Sequence, residues 1–581
     1  MKTNNFNINY IAIITLFFTI FSSCSMIKEL EYEVTQNPLH LKGGDVTLQI
    51  NGKFIEKGLN AKAVAEITPI FFCKDGNEIP FQTEIYQGPK AAGNGKVVPS
   101  TGLPFSYTST IPYQKSMAEG ELKVQVLVKM GSKTEEIISS KIADGTIITS
   151  LLVVLDDQVI SSSECNFKRI NSFTKSATIN FNKGKYNISS KELRDSDVKD
   201  ILSFISNSME EGSRIDVKSI QISSFASPEG EVDLNDNLAK DRGKSTMKSL
   251  ITKSRRMKFN AGKEASFYNV VPKGEDWEGF KTEVSKTDNE DKDLILRVLQ
   301  MTPDLNKREK EIRNMAKSYA FLEKKVLPQL RRSLITVNYD EVGYSDEELK
   351  YLVASNPDTL TLEEIIQATL NEQDMNIQLK NYNNAARLFP NDWRIKNNIG
   401  YIKYMMGDND GASKSFEDAL AITDNNIVSN NVAAVKHVSN GKSTDEVKSL
   451  FESSNTTQSK YNIGLIQIEE GKYEESITSM GDTKSYNYAL ANILAEHYDA
   501  ASDAIDDLDF KDAKSYYLKA VIGARTSDTE MVMENLKMSF EKDASLKDMA
   551  KKDREFISFL KTLIFLQSFR NNIISNLWRR I

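Results

Sequence analysis

The stretch from Ile220 to Ile251 most restricts the possible folds of this chain, because it reads as a strand, a turn and a helix in direct succession. Ile220 and Ile222 alternate with polar neighbours, which is typical of a short strand. Residues 227–230 read Ser-Pro-Glu-Gly and predict a turn. The apolar positions then change to helical spacing, at Leu234, Leu238, Thr246 and Leu250. We therefore expect a strand and a helix joined by a short loop.

Arg242 lies on the same predicted stripe as these apolar residues. A guanidinium on the inward side of a helix needs an anionic partner, because it cannot be neutralised by losing a proton. That partner is either an acidic ligand or a nearby carboxylate such as Asp233 or Asp236.

This arrangement resembles the OmpA-like peptidoglycan-binding domain, over roughly residues 177–337. Four positions match the family motif, and they are Gly230, Asn235, Leu238 and Arg242. The family's aspartate falls at Ser227, a departure that leaves Glu229 as the nearest acidic residue of the loop. The resemblance implies that a peptidoglycan stem peptide is bound by Arg242, Asn235, Ser227, Glu229 and Gly230, with Arg242 taking a carboxylate.

The first 23 residues predict a targeting segment, with Lys2 as the single charge before an apolar run from Ile11 to Phe21. Residues 21–24 read Phe-Ser-Ser-Cys and resemble a bacterial lipobox, so Cys24 is the expected lipidation site. The alternative is an ordinary cleaved signal peptide in which Cys24 is incidental. We expect a Gram-negative lipoprotein held at the outer membrane and facing the periplasm.

Composition narrows the class of protein. The chain has 581 residues, enough for several domains, and its net charge of −7 argues against nucleic-acid binding. The three histidines and three cysteines lack metal-ligand spacing, and no acidic pair stands in a recognisable catalytic context. The sequence therefore predicts a non-enzymatic protein without a metal or a cofactor.

The expected fold is multidomain α+β, with regions that differ in periodicity. A tether and an antiparallel β-sandwich occupy residues 24–150, where alternating runs such as 46–50 and 122–128 are separated by Gly and Asn-Gly turns. An OmpA-like α/β sandwich with a helical insertion at 283–329 is expected over 151–340. Helical repeats follow at 345–560, and an amphipathic helix closes the chain at 561–581.

The helical region contains a spaced set of small and aromatic residues, at Gly400, Gly407, Ala412, Phe416, Ala419 and Leu420. This set resembles the tetratricopeptide repeat, an α-solenoid of antiparallel helix pairs, and the alternative is an irregular helical bundle. The resemblance implies a concave groove for a protein partner, lined by Lys396, Asn397, Asn398 and Tyr401. Side-chain amides in such a groove can hydrogen-bond a peptide backbone, whereas exposed polar positions without a ligand are the simpler interpretation.

Two functions fit these expectations. The first is a lipoprotein that anchors the outer membrane to peptidoglycan and recruits an unknown protein partner through its repeats. The second is an assembly scaffold for an envelope complex whose OmpA-like domain no longer binds peptidoglycan, a possibility that Ser227 supports.

Overall fold

A computed structural model of the chain describes residues 26–28, 30–481 and 483–560. The predicted signal peptide, the lipidation site Cys24 and the predicted helix at 561–581 lie outside the described residues. The chain divides into two compact units, one formed by residues 1–164 with 382–581 and the other by residues 165–381. In the described part of the chain, no helix combines the length and the apolar character needed to cross a bilayer.

The N-terminal part of the first unit consists of two β-sheets around one apolar core. Its strands are β1 (Leu30–Val34), β2 (Leu39–Lys42), β3 (Asp45–Phe54), β4 (Val64–Phe72), β5 (Glu78–Pro80), β6 (Glu84–Gln87), β7 (Lys96–Val97), β8 (Leu103–Pro112), β9 (Glu121–Met130), β10 (Lys133–Ile138), β11 (Ala143–Asp144) and β12 (Thr146–Ile147). One sheet has the order β1-β3-β2-β12 with β8 on β3, and the other has the order β10-β9-β4-β6-β7 with β11 on β9 and β5 on β4.

Alternation explains why these strands form the two layers. Alternate residues are buried from Val46 to Ile50 in β3 and from Leu122 to Val128 in β9, while the residues between them are exposed in β3 and half-buried in β9. Most pairs are antiparallel as expected, but β2 with β12 and β6 with β7 are parallel.

The second unit is built on a four-stranded sheet with the order β13-β16-β14-β15. Its regular elements are β13 (Ile170–Asn180), α1 (Ser196–Asn207), β14 (Ile215–Ala226), α2 (Val232–Met257), β15 (Tyr268–Glu275) and β16 (Arg332–Val342). The β14–β15 pair is parallel, and the other two pairs are antiparallel. Buried residues of α1 and α2, such as Ile201 and Leu250, share a core with strand residues such as Ile222 and Ile335. The sheet and the two helices therefore position the loop at 227–230.

A helical insertion separates β15 from β16. It contains α3 (Trp277–Ser285), α4 (Lys292–Met301), α5 (Leu305–Asn314), α6 (Ala316–Lys325) and α7 (Leu327–Leu330). Its helices have their own apolar cluster, which includes Phe280, Ile295, Ile312 and Leu322. The helices α8 (Asp346–Ser355), α9 (Leu362–Leu370) and α10 (Met375–Leu388) follow β16. Ser345 and Thr361 cap α8 and α9, each as half of a capping box.

The rest of the first unit is an array of antiparallel helices. It contains α11 (Trp393–Met405), α12 (Asn409–Leu420), α13 (Asn426–Asn440), α14 (Asp445–Ser454), α15 (Thr457–Glu469), α16 (Tyr473–Met480), α17 (Tyr486–Leu494), α18 (Tyr498–Asp506), α19 (Ala513–Arg525), α20 (Thr529–Lys542) and α21 (Leu546–Lys552). Successive helices pair from α11 with α12 to α19 with α20. Gly400 lets α11 approach α12 closely, because a Cβ atom there would lie 2.6 Å from the Phe416 ring.

Candidate functional site

The loop after β14 and the first turns of α2 carry the residues that the sequence analysis selected as a ligand site. The buried face of α2 consists of Asn235, Ala239, Arg242, Gly243, Thr246, Leu250 and Ser254. The prediction that Leu234 points inward is wrong, because its side chain is 66% exposed. At the start of the helix Asn235 and Ala239 are buried in place of Leu234 and Leu238, while Arg242, Thr246 and Leu250 are buried as predicted. A Cβ atom on Gly243 would come within 2.7 Å of Ser224 Oγ, which shows how closely α2 and β14 approach.

Arg242 is only 1% exposed, and all three of its guanidinium nitrogens donate to main-chain carbonyl oxygens. Nε donates to Lys185 O at 3.1 Å, and Nη1 donates to Phe225 O at 2.8 Å. Nη2 donates to Asn182 O at 3.4 Å. Burial lowers the pKa of Arg242 to about 10, with the positive charge of Arg331 acting in the same direction, so the group remains charged near neutral pH. Arg242 therefore ties the turn at 182–185 to the end of β14.

Glu229 pairs with Arg331, a residue that is not among those predicted to form the ligand site. Arg331 Nε lies 2.8 Å from Glu229 Oε1, and both side chains are less than a tenth exposed. Ser227 donates its hydroxyl hydrogen to the same carboxylate, and Lys183 lies 3.2 Å from its other oxygen. Burial by itself raises the pKa of Glu229, but the hydrogen bonds from Ser227 and Arg331 and the two positive charges outweigh burial and lower it.

The insertion contributes a further contact to this loop. Arg313 of α5 donates through Nη2 to the carbonyl oxygen of Glu229 at 2.6 Å, and it also pairs with Glu309. Asn235 donates to Glu275 Oε1 at 2.8 Å and to Gly230 O at 3.3 Å. Of the five residues predicted to bind a stem peptide, Ser227 and Glu229 are brought together and Asn235 contacts Gly230, whereas Arg242 is held by separate carbonyls.

The helical array holds an extended segment of its own chain. Residues 153–163, which the sequence analysis assigned to the following domain, lie against the helices α11, α13, α15 and α17 of the same unit. We call residues 153–163 the strap. Each of these four helices contributes an asparagine whose amide oxygen accepts from a strap N–H group, and these residues are Asn398, Asn431, Asn462 and Asn487.

Three of these asparagines bind both main-chain polar groups of a single strap residue. Asn462 accepts from Val159 N at 2.8 Å and donates to Val159 O at 2.9 Å. Asn431 binds Ser161 and Asn487 binds Val154 in the same two-way manner. Asn398 accepts from Ser163 N at 2.7 Å and donates to Ser163 Oγ at 3.0 Å. The two hydrogen bonds that each side-chain amide makes to one residue resemble the hydrogen bonds between neighbouring β-strands.

Two further asparagines, Asn397 and Asn430, contact both the strap and an asparagine of the next inner helix. Asn397 donates to Ser161 O at 3.2 Å, and Asn430 donates to Val159 O at 2.9 Å. Their amide oxygens accept from Asn431 and Asn462, respectively. All six asparagines are at most 1% exposed. We call these six residues, Asn397, Asn398, Asn430, Asn431, Asn462 and Asn487, the asparagine clamp.

Two strap side chains also make contacts in the groove, the half-buried Asp157 and the buried Gln158. Tyr461 donates its hydroxyl hydrogen to Asp157 Oδ2 at 2.5 Å, and Asn487 donates to the same oxygen at 3.0 Å. Burial nevertheless raises the pKa of Asp157, because these hydrogen bonds only partly offset the loss of hydration. Gln158 Nε2 lies 3.0 Å from His437 Nδ1, and Gln158 Oε1 is buried without a hydrogen-bond partner among the described residues.

The predicted groove residues divide into two kinds. Asn397 and Asn398 contact the strap, whereas Lys396 and Tyr401 make no hydrogen bond to it within the described residues, and Tyr401 packs on the apolar cluster of α12 and α13. Four clamp residues were missed, although a sequence signal existed. One asparagine recurs at an equivalent place in successive inner helices, at Asn398, Asn431, Asn462 and Asn487.

The first unit also contains a polar cavity of about 240 Å³ beside β2, with His40, Lys42, Tyr473 and Arg525 in its wall. Arg525 is already paired with Glu555 at 2.6 Å and donates to Ile493 O, so it offers no free cation to a ligand. In the described residues, no cluster of three or more His, Cys, Asp or Glu side chains has the arrangement of a metal site.

No family model matches the chain, and no curated protein matches it. Among solved structures, the chain is similar to a tetratricopeptide repeat protein from Parabacteroides merdae ATCC 43184, with 13% identity and a TM-score of 0.28 over 36% of this chain and 90% of that one. It is similar to PilF of Pseudomonas aeruginosa at 14% identity and a TM-score of 0.25, over 37% and 97% of the two chains. It is also similar to the Cut9–Hcn1 hetero-tetramer of the APC/C, with 12% identity and a TM-score of 0.31 over 57% of this chain and 77% of that one. Likenesses with TM-scores this low establish no function for this chain.

Proposed function

We propose that the protein is a non-enzymatic scaffold of the cell envelope whose helical array is its protein-interaction module. The observation that supports this function is the extended strap held by the asparagine clamp. Side-chain amides on successive helices satisfy the main-chain N–H and C=O groups of an extended peptide, which is the chemistry of peptide recognition. The helical array therefore has a surface suited to binding polypeptide.

In this proposal the α+β domain is OmpA-like in fold but does not bind peptidoglycan. A stem-peptide carboxylate would need an accessible guanidinium, whereas Arg242 is 1% exposed and three of its five N–H groups already donate to carbonyl oxygens. The negative charge of Glu229 is likewise engaged by Arg331 and Lys183. These contacts favour the scaffold over a peptidoglycan anchor.

Peptidoglycan anchoring is the competing function, because the matching positions Asn235 and Arg242 lie on a helix that begins just after the 227–230 loop. Sedimentation of the full chain with purified, insoluble peptidoglycan distinguishes the scaffold function from the anchor function. The scaffold account expects retention no greater than that of a non-binding control protein. Saturable retention that is lost in Arg242→Lys but kept in the exposed control Lys244→Arg would establish the anchor instead.

The proposed location is the periplasmic side of the outer membrane, with a lipid on Cys24 as the tether. This part of the proposal rests on the N-terminal sequence. Membrane fractionation of wild type and Cys24→Ala tests it. The wild-type protein is expected in the outer-membrane fraction and the variant in the soluble or inner-membrane fractions, while identical distributions would remove the lipid tether.

Photocrosslinking in intact cells tests the scaffold role. A photoreactive amino acid is placed at exposed positions of the array, Met405 or Phe510, and at Ile85 of the β-sandwich as a matched exposed control. A scaffold that works through its array gives a discrete protein adduct from the array positions and none from Ile85. Absence of adducts from both array positions would count against the proposed function.

A further inference from the structure

The asparagine clamp recognises the main chain of its ligand rather than a sequence. Val159 and Ser161 differ in polarity and shape, yet each is bound in the same way, by one amide that accepts from its N–H and donates to its C=O. Ser163 is held through its N–H and its hydroxyl group. Since every residue except proline has the same two main-chain groups, other extended peptides meet the requirements of this site.

The spacing of the bound strap residues describes the ligand further. Val159, Ser161 and Ser163 are alternate residues, as expected for an extended chain with one edge turned toward the helices. Ile160, between two of them, packs against apolar residues of the array. A suitable ligand is therefore an extended segment with N–H groups at three alternate positions and an apolar side chain between the first two.

The strap itself is an imperfect ligand for this groove. Gln158 buries its amide oxygen without a hydrogen-bond partner among the described residues. Asp157 has a half-buried carboxylate, and its partial loss of hydration raises its pKa. The strap binds the clamp in preference to a free peptide because it is part of the same chain, which raises its effective concentration at the clamp.

We propose that the asparagine clamp is a receptor for extended peptides, that the strap occupies it in cis, and that the peptide of a partner binds by replacing the strap. This inference rests on the proposed scaffold function and specifies both its ligand and its control. The groove is closed to a partner while the strap is in place. A partner gains access only when its segment outcompetes the strap or when the strap is pulled away.

Fluorescence anisotropy with a labelled peptide of residues 151–164 tests the proposal on the full chain. The double variant Val159→Pro/Ser161→Pro removes two strap N–H donors, so the strap is released and the labelled peptide is expected to bind. The control Ser162→Pro removes an N–H that has no acceptor among the described residues, so its strap stays bound. The released variant should bind at least about tenfold more tightly than wild type, because a tethered competitor acts at an effective concentration on the order of millimolar.

Adding Asn431→Ala and Asn462→Ala to the released variant is expected to abolish peptide binding. Equal binding by wild type, control and released variant, or binding that survives loss of the two asparagines, would overturn the proposal. If the released variant does not fold, wild type is incubated with excess peptide carrying a photoreactive group at the position of Ile160. Adducts on α13 or α15 support exchange, and their absence at saturating peptide overturns it.

These outcomes are independent of the scaffold test. If the peptide binds no variant while the photocrosslinks from Met405 and Phe510 persist, the strap is a permanent structural segment and the scaffold works through another face. If peptide exchange is found but no photocrosslink forms in cells, the proposed function fails while the binding site stands.

Discussion

Asn431 holds Ser161 by both of its main-chain polar groups, accepting from Ser161 N at 3.1 Å and donating to Ser161 O at 2.7 Å. Asn431 is completely buried and Ser161 is half-buried, so this pair of hydrogen bonds is largely shielded from water. Removing either side would leave the other with unsatisfied polar groups, which is more costly than the net value of the hydrogen bonds themselves. This relationship, repeated along the strap, joins the β-sandwich and the helical array of the first unit into one folded body.

Asn431→Ala is expected to destabilise the first unit by about 1–3 kcal/mol, because the N–H of Ser161 loses its acceptor and the C=O of Ser161 keeps only the longer hydrogen bond from Asn397. Asn440→Ala is the matched control, since Asn440 is exposed at the end of the same helix, and its cost should stay within about 0.5 kcal/mol. Pulse proteolysis across a urea series measures both free energies of unfolding. Equal effects of the two substitutions would contradict the role assigned to Asn431.

The carboxylate of Glu229 has two cationic partners of different burial, and they should differ in energetic value. Arg331→Met leaves a buried carboxylate without its closest cationic partner and should destabilise the second unit by about 3–5 kcal/mol. Lys183→Met removes a half-exposed partner and should cost at most about 1 kcal/mol. Urea unfolding of the two variants is the measurement, and a larger loss for Lys183→Met would contradict the structure of this loop.

The elements with strong periodicity could be predicted from the sequence, and the partners of their polar residues could not. The strand, loop and helix around Ser227 appear as expected, with α2 running from Val232 to Met257. The partners of Arg242 are carbonyl oxygens of distant residues, and a carbonyl group leaves no signal in a sequence. Leu234 was assigned to the buried face because it is apolar, whereas close packing on β14 selects the smaller Ala239 and Gly243.

The strap shows a different limit of sequence reasoning. Residues 153–163 have neither helical nor strand periodicity over a useful length, because their hydrogen bonds go to asparagine side chains instead of a neighbouring strand. The prediction that Asn397 and Asn398 can bind a peptide backbone rests on the resemblance to the tetratricopeptide repeat and on amide chemistry. Only the structure shows that the peptide bound to these asparagines is a segment of the protein itself.

Gly400 and Gly464 occupy equivalent positions in two helix pairs, but their neighbours differ in rigidity. A Cβ on Gly400 would lie 2.6 Å from the Phe416 ring, and a Cβ on Gly464 would lie 2.5 Å from Cγ of the flexible Met480. We expect Gly400→Ala to cost about 1–3 kcal/mol and Gly464→Ala clearly less, because a methionine can change rotamer while a buried ring cannot. Thermal unfolding of the two variants provides the comparison, and the reverse order would contradict the packing of α11 on α12.

Asp553 should make the stability of the first unit depend on pH. Burial raises its pKa to about 6, against the hydrogen bond from Tyr517, so the folded state binds a proton more readily than the unfolded chain. The stabilisation is therefore present at low pH and is lost as pH rises through about 6. Relative to Asp553→Asn, wild type should gain roughly 1 kcal/mol between pH 7 and pH 5. A difference between the two proteins that does not change with pH would show that Asp553 does not titrate in this range.

Residue-resolved hydrogen exchange of the strap in the intact protein tests the central claim most directly. The amides of Val154, Val159, Ser161 and Ser163 donate to the asparagine clamp and should exchange slowly, while the amide of Ser162 should exchange much faster. The protection of Val159 and Ser161 should be lost in Asn431→Ala/Asn462→Ala. Uniformly rapid exchange from residue 153 to residue 163, with the helices α13 and α15 still protected, would show that the groove does not hold the strap.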